Sequence, residues 1–393
     1  MSFLQKRLLL LFLIANMTAE YILLMPASKF LFFGVLGLSV CFLLHRFLYT
    51  KAIAICPHIY VLAAILIVYQ LLFGYQSSSG ESLTYFVGKL ASFAIILLSV
   101  GSDFEFYLKR SILPLSYAIL ALVILGWFVH RASSISENYY LFGFTNRNAA
   151  CTLSAIGFAG FLFAKDCYSR IDYLWMSILL VTVLVGGSRS ALAMCVIFIF
   201  IRYGISMRLI AVMLTLIVII VFALPELGIR ITAFERLLGT ISGEVPLDRI
   251  AQRQGAMVMI QERPWTGWGL ASQIQGKALN ITELGAHNGY LTLIMYMGLP
   301  LGITFIVVII HGVIKRLKLL RLKDNALNYH IAVILCILFG ANQEDYLVGV
   351  NQISTNLFFV SFVVTGFYSY YLKHVRILAM KKDIRLPNCK KRM

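Results

Sequence analysis

Residues 298–314 read GLPLGITFIVVIIHGVI, a run without a charged residue, and Lys315, Arg316 and Lys318 follow it directly. As a helix, about 17 to 25 apolar residues cover roughly 30 Å of hydrocarbon. Every peptide group inside a bilayer must be hydrogen-bonded within the protein, so such a run predicts a transmembrane helix. Similar runs recur along nearly the whole chain, which indicates a polytopic membrane protein.

The composition supports the same fold class. Of the 393 residues, 60% are apolar or aromatic and 13% are charged, whereas an ordinary soluble domain has roughly a quarter charged residues. We predict an all-α fold: a polytopic integral membrane helical bundle of about 12 transmembrane helices, with residues 1–393 as a single membrane domain. The predicted spans are 8–25, 30–48, 57–74, 83–100, 111–130, 147–164, 172–187, 189–205, 207–224, 298–314, 328–343 and 354–372.

The net charge of +17 is best explained by membrane topology. The basic residues lie mostly in short segments between spans and form no basic patch with interleaved aromatic residues, so nucleic acid is not an expected partner. The positive-inside rule places both termini in the cytoplasm and predicts a basic cytoplasmic tail at 373–393, close to membrane lipids. The seven cysteines show no metal-binding spacing and no disulfide framework.

One segment between spans, 225–297, is long enough to hold a site, and we predict it as a large periplasmic loop with short helices between the ninth and tenth spans. Within it, 247–262 is predicted as a helix with Asp248 as its N-cap. Arg249 and Arg253 then share one face, an arrangement that suits a diphosphate. A solvated arginine pair is the alternative interpretation.

His287 lies in the stretch 286–290, which directly precedes the apolar residues 291–297 and the break at Gly298. A position near a helix start favours a neutral imidazole that can accept a proton, although a structural histidine is the alternative.

Arg189 interrupts apolar sequence after Gly187. An arginine at that depth costs about 2.5 kcal/mol or more unless it is partnered, so Arg189 marks either an anion site or a tight turn with an interfacial arginine.

Four further charged residues and one short motif stand near the predicted outer face. Asn146-Arg147-Asn148 opens the sixth span and adds an arginine with flanking amides. Glu344 and Asp345 are the only adjacent carboxylates expected on that side. Glu20 and Lys89 lie at similar depths in their spans, so we predict a buried ion pair between them.

The chain has no P-loop, no dinucleotide-binding fingerprint and no HExxH sequence. None of its outer segments contains an Asp-x-Asp pair of the kind that holds Mg²⁺ against a diphosphate. Any phosphate chemistry would therefore depend on arginines and on an already activated donor, and no metal or cofactor is expected.

In this order, the motifs resemble the O-antigen ligase and O-antigen polymerase superfamily of bacterial envelope enzymes. The resemblance is carried by the GSRSAL stretch at 187–192, by Arg249 followed by Pro264 and the Gly-Trp-Gly at 267–269, and by His287 and Asn288 before Gly298 and Leu299. The stretch at 146–148 resembles a fourth, looser element. Arg253 stands where the family often has an aromatic residue, which leaves open whether Arg249 or Arg253 binds the donor.

The resemblance implies a metal-independent glycosyltransferase of the bacterial inner membrane, acting at the periplasmic face on an undecaprenyl-diphosphate-linked glycan. Under it, His287 removes a proton from the acceptor hydroxyl, and Arg189 and Arg249 hold the donor diphosphate, with Arg253 as a further candidate. Asn146, Arg147 and Asn288 are possible supporting residues.

Three functions remain open at this point. The acceptor would be lipid A core in an O-antigen ligase, which we favour, or another lipid-linked glycan in a repeat-unit polymerase. A twelve-helix transporter matches the span count. It is less well supported, because the polar residues gather near one face and no internal repeat is visible.

Overall fold

A computed structural model describes residues 3–18, 20–21, 24–50, 56–74, 80–132, 144, 146–218, 247–270 and 286–381. These segments are helical with short connections and contain no β-strand, so the predicted all-α fold is confirmed for them. One isolated antiparallel bridge joins Tyr21 to Phe144.

The α-helices follow the predicted spans closely. In chain order they are α1 (Phe3–Thr18), α2 (Met25–Thr50), α3 (Pro57–Phe73), α4 (Gly80–Ser102), α5 (Ile112–Ala132), α6 (Arg147–Ala164), α7 (Arg170–Gly186), α8 (Arg189–Tyr203), α9 (Met207–Val218), α10 (Leu247–Glu262), α11 (Gly289–Leu317), α12 (Asn325–Gly340) and α13 (Ile353–Lys381). A π-helical turn, Phe106–Arg110, precedes α5, and a 3-10 turn, Lys318–Leu322, follows α11. A helix lies at every predicted span, and α10 is the short helix predicted in the long loop.

Among the residues that the structure describes, five helical segments are long and apolar enough to cross a membrane: Ser82–Ser102, Phe106–Phe128, Arg147–Ala164, Gly289–Leu322 and Ile353–Leu372. Shorter apolar helices lie at Arg7–Thr18, Phe30–Cys41, Pro57–Phe73 and Asn325–Gly340. These helices support a multi-pass membrane protein, while the count of twelve crossings stays a prediction.

Three predicted boundaries differ from the structure. α11 begins at Gly289, because Asn288 caps it and the following apolar residues pack into the bundle, and the predicted start at 298 is a non-helical break within this helix at Gly298. α10 begins at Leu247 among the described residues, so Asp248 lies in its first turn rather than at its N-cap. α13 continues through the start of the predicted tail, since 373–381 contains no proline or glycine that would end a helix. The rest of the tail, the end of the predicted ninth span at 219–224, and the loop parts 225–246 and 271–285 lie outside the described residues.

At one end of the bundle, which we call the His287 end, α6, α8 and α11 begin and α7 and α12 end. Side-chain contacts place these helix ends at one level. Cys151, near the start of α6, lies 3.8 Å from the Thr182 carbonyl oxygen near the end of α7. Cys336, near the end of α12, lies 3.7 Å from the Met194 carbonyl oxygen near the start of α8.

The opposite end, which we call the Lys165 end, is rich in basic side chains with local acidic partners. Lys165 forms an ion pair of 2.7 Å with Asp172. Arg202 donates to the carbonyl oxygen of Lys165 at 3.0 Å and contacts Asp166 at 3.3 Å. The topology prediction assigned these basic residues to one side of the membrane, and they lie together at one end of the bundle.

Candidate active site

The turn after α10 packs directly against α11. The backbone N–H of Trp268 donates to the carbonyl oxygen of Met295 at 3.0 Å, and that of Leu299 donates to the carbonyl oxygen of Pro264 at 2.7 Å. The indole of Trp268 is buried and donates to the carbonyl oxygen of Met259 at 2.7 Å. These bonds fix α10 against the start of α11.

Two glycines make this packing possible. Gly267 has φ 64° and Gly298 has φ 72°, values that L-residues with a side chain rarely adopt. A Cβ atom at Gly267 would lie 2.4 Å from the backbone oxygen of Tyr296. The break at Gly298, which sequence alone suggests is only a helix boundary, is therefore also the docking point of the loop helix.

The residues between α12 and α13, 341–352, form what we call the connecting segment, and the start of α11 is bonded to it. The backbone N–H of Gly289 donates to the carbonyl oxygen of Ala341 at 2.8 Å and approaches that of Glu344 at 3.2 Å. The side-chain amide of Asn288 donates to Asn342 at both its backbone oxygen, 3.3 Å, and its Oδ1, 3.2 Å.

Asn288 also caps α11. Its Oδ1 accepts hydrogen bonds from the backbone N–H groups of Tyr290 at 3.0 Å and Leu291 at 3.1 Å. Such a cap satisfies two of the N–H groups that a helix start leaves without a partner. The predicted supporting residue Asn288 thus sets both the start of α11 and its distance from the connecting segment.

His287 lies against a buried carboxylate. Its Nδ1 is 3.3 Å from Oε2 of Glu344, and the imidazole side chain is 29% exposed whereas that of Glu344 is 8% exposed. The second carboxylate oxygen, Oε1, accepts a hydrogen bond of 2.6 Å from the side-chain amide of Asn148. Glu344 therefore joins the start of α6 to the residue before the N-cap of α11.

The backbone of His287 is in the left-handed region, with φ 44°. For a residue other than glycine this conformation costs about 1 to 3 kcal/mol and persists only where the surroundings impose it. The Asn288 cap and the Glu344 contact are the constraints on either side of it. Strain of this kind is concentrated at functional sites, which supports a role for His287 beyond packing.

A small polar cavity lies behind Glu344, between α6 and the connecting segment. It encloses about 50 Å³ and is lined by Glu20, Asn148, Glu344 and Tyr346 among others. That volume holds a few water molecules but not a sugar diphosphate. Burial and the neighbouring Glu344 carboxylate raise the pKa of Glu20, which lies beyond the end of α1, to about 7.

Arg253 of α10 also contacts the connecting segment. Its Nη2 donates to the backbone oxygen of Asn342 at 3.0 Å, and the side chain is half-buried. Its Nε is buried and has no hydrogen-bond partner among the described residues. The structure thus brings three predicted site residues, Arg253, His287 and Asn288, to the stretch from Asn342 to Glu344.

Arg189 and Arg147 occupy equivalent places at the His287 end. Arg189 is the first residue of α8, behind the N-cap Ser188, and Arg147 is the first residue of α6, behind the N-cap Asn146. Both arginines are half-buried. The Oδ1 of Asn146 accepts from the backbone N–H of Asn148 at 2.8 Å, which orients the residue that holds Glu344.

Arg249 lies on α10, one turn before Arg253, and its side chain is outside the described residues. Within the described ranges, no group of three or more His, Cys, Asp or Glu side chains is arranged to hold a metal ion.

Sequence reasoning missed the partners of the predicted residues. Glu344 was visible only as one of two adjacent carboxylates between apolar spans, and Asn148 only as part of a motif. The predicted pair of Glu20 and Lys89 is wrong, because the ammonium of Lys89 donates instead to the carbonyl oxygens of Gly349 at 3.0 Å and Val348 at 3.5 Å.

A search of curated proteins finds no match to this chain. A family model described as O-antigen ligase matches residues 174–306. That range holds five of the seven predicted site residues, namely Arg189, Arg249, Arg253, His287 and Asn288. The match supports a role of the ligase or polymerase type. The resemblance drawn from the sequence is therefore confirmed to this extent: the matching family model, over residues 174–306, is the one that the motifs resemble.

Proposed function

We propose that this chain is an inner-membrane glycosyltransferase that moves an undecaprenyl-diphosphate-linked glycan onto an acceptor hydroxyl at the periplasmic face. We propose lipid A core as the acceptor, as for an O-antigen ligase, with a repeat-unit polymerase as the alternative. The observation that carries the proposal is the contact of 3.3 Å between His287 and Glu344 of the connecting segment. Arg253 donates a hydrogen bond to Asn342 of the same segment.

His287 is proposed as the general base. With Nδ1 directed at Glu344, Nε2 is the nitrogen that would take the proton of the acceptor hydroxyl. The hydroxyl oxygen then attacks the anomeric carbon, and the bond from that carbon to the diphosphate oxygen breaks. The lipid diphosphate leaves with the electron pair. Glu344 keeps the ring oriented and stabilises the positive charge that the imidazole gains.

The arginines are proposed to hold the diphosphate. Arg253 is anchored by one bond to Asn342 and keeps further N–H groups, including Nε, for an anion. Arg189 and Arg249 are assigned the same role from the family resemblance. Each charge-assisted hydrogen bond is worth about 1.5 to 3 kcal/mol, so two or three together stabilise a leaving diphosphate without a metal.

Asn146, Arg147 and Asn288 are proposed as supporting residues. Asn146 orients Asn148, and Asn288 sets the start of α11, so both act through the surroundings of His287. The proposed orientation, with cytoplasmic termini and a periplasmic site, is supported by the basic side chains of the Lys165 end, which the positive-inside rule assigns to the cytoplasm.

Reconstitution tests the proposal. The purified protein in proteoliposomes receives a lipid-diphosphate-linked repeat unit, with or without lipid A core. Transfer to the core identifies a ligase, whereas ladder growth in the absence of core identifies a polymerase. If glycan transfer fails under both conditions while the inserted protein remains folded, the proposal is wrong.

A second arm tests the absence of a metal requirement. Because arginines are proposed to hold the diphosphate, transfer is expected to continue at an unchanged rate in EDTA. Inhibition by EDTA that added Mg²⁺ reverses would contradict an arginine-only donor site.

A further inference from the structure

Side chains from other helices donate hydrogen bonds to the second half of the connecting segment. The hydroxyl of Thr355 donates to the carbonyl oxygen of Tyr346 at 2.6 Å, and the amide of Asn356 donates to that of Val350 at 2.8 Å. Buried carbonyl groups that lack a partner in a helix or sheet need such donors. α13 thus supplies the donors on one side of the segment.

α4 supplies the donors on the other side. The hydroxyl of Tyr85 donates to the carbonyl oxygen of Val348, and the ammonium of Lys89 donates to that of Gly349 at 3.0 Å and approaches that of Val348 at 3.5 Å. Gly88 lies between them, and a Cβ there would come within 2.8 Å of the Val350 side chain. α4 is therefore in close contact with the segment.

Lys89 is an unusual residue for this position. It is 2% exposed, and its Nζ lies 4.8 Å from the ring centre of Phe359 and 5.9 Å from that of Phe93. A cation within a membrane-spanning helix is expensive and generally has a function. The hydrogen bonds of this ammonium go to backbone oxygens of the connecting segment, so its function is to be sought there.

The same segment carries the partner of His287. The backbone N–H of Val348 donates to the carbonyl oxygen of Asp345 at 3.2 Å, closing a turn directly after Glu344. Lys89 binds the far end of this turn, and Glu344 projects from its near end towards His287. Movement at Val348 and Gly349 would therefore be transmitted to the carboxylate.

We propose that Lys89 is a positioning residue for the proposed reaction: it clamps the connecting segment so that the Glu344 carboxylate stays against the His287 imidazole. This inference rests on the proposed function and adds a residue to it that lies outside the matched family segment. Lys89 touches no reacting atom, and its effect on transfer passes through Glu344.

Lys89→Met keeps the apolar stem and removes the donors. We expect kcat for glycan transfer to fall about 10- to 100-fold, because displacement of a positioned group by about 1 Å has effects of that size. KM for the lipid-linked donor should stay within about twofold, and Lys89→Arg, which retains donors, should recover most of the rate. Lys165→Met is the matched control: it breaks the bond of 2.7 Å to Asp172 at the opposite end and should leave kcat within about twofold.

The double variant Lys89→Met with Glu344→Gln decides between positioning and a general loss of stability. If Lys89 acts through Glu344, the double variant is no slower than Glu344→Gln alone. The proposal would be overturned if the rate loss of the double variant equalled the product of the two single losses. A change in Lys89→Met that is confined to KM, or a normal rate in that variant, would overturn it as well. Should Lys89→Met fail to insert, Tyr85→Phe replaces it, with an expected loss of about fivefold and the same lack of additivity.

Carbethoxylation of His287 by diethyl pyrocarbonate, followed by mass spectrometry, separates this proposal from the proposed function because it requires no glycan transfer. Lys89→Met and Glu344→Gln should change the modification rate of His287 in the same direction and by similar factors, while Lys165→Met should not. If the wild type transfers no glycan but this pattern holds, the proposed function fails and the positioning role stands. If Lys89→Met leaves the modification rate unchanged, the positioning role fails.

Discussion

Replacing Glu344 with glutamine tests the centre of the proposed site. The carboxylate accepts a hydrogen bond of 2.6 Å from Asn148 through Oε1 and faces Nδ1 of His287 at 3.3 Å through Oε2. Both neighbours are donors when Nδ1 carries the proton. Glutamine has nearly the same size, but its side chain offers one acceptor and one donor. Its NH2 group would therefore face either the amide of Asn148 or Nδ1–H of His287, and that contact would place two donors together.

The magnitude follows from this mismatch. Leaving a buried donor without an acceptor costs about 1 to 3 kcal/mol. If that cost falls on the transition state, it corresponds to a rate loss of about 5- to 150-fold. The imidazole also loses the negative charge that stabilises its protonated form, which adds to the effect in the transition state. We therefore expect kcat to fall about 100-fold, with little change in the amount of inserted protein.

Initial rates of glycan transfer in proteoliposomes measure this effect. The matched control is Asp345→Asn: Asp345 accepts a hydrogen bond of 2.7 Å from the Thr292 hydroxyl, which an asparagine Oδ1 can also accept. The control should stay within about threefold of the wild type. A rate for Glu344→Gln within twofold of the wild type, or an equal loss in Asp345→Asn, would refute the assigned role of Glu344.

Three further predictions concern the other parts of the site. His287→Asn should abolish transfer while preserving thermal stability, because asparagine tolerates the backbone φ of 44° better than most residues; residual transfer by this variant would exclude His287 as the base. Arg249→Lys and Arg189→Ala should each lower donor use at least tenfold in titrations of the lipid-linked glycan, since lysine lacks a bidentate fork; a fully active lysine variant would contradict that geometry. Gly267→Ala should lower the thermal unfolding midpoint and the transfer rate together, because its Cβ would lie 2.4 Å from a backbone oxygen of Tyr296; a wild-type midpoint would contradict the docking of α10 on α11.

The sequence by itself determined the helices and the places where the chain breaks. Apolar run length and helix-ending residues are local properties, so α6 was placed at 147–164 as the structure has it, and α10 was placed at 247–262 with only its N-cap assigned wrongly. The sequence also singled out Gly298 as a break and His287 as a residue at a helix start. The number of membrane crossings and the roles of Arg189 and Arg249 stay predictions.

Only the tertiary structure decided which residues meet. His287 and Glu344 are 57 positions apart, and Arg253 and Asn342 are 89 apart, so no local pattern links them. The partner of Lys89 could not be predicted by comparing the depths of charged residues in their spans. Such a comparison considers only charged side chains, whereas Lys89 binds backbone oxygens of the connecting segment. Contacts of this kind depend on how the helices pack around the connecting segment, and that packing is set by the whole bundle rather than by any stretch of the chain.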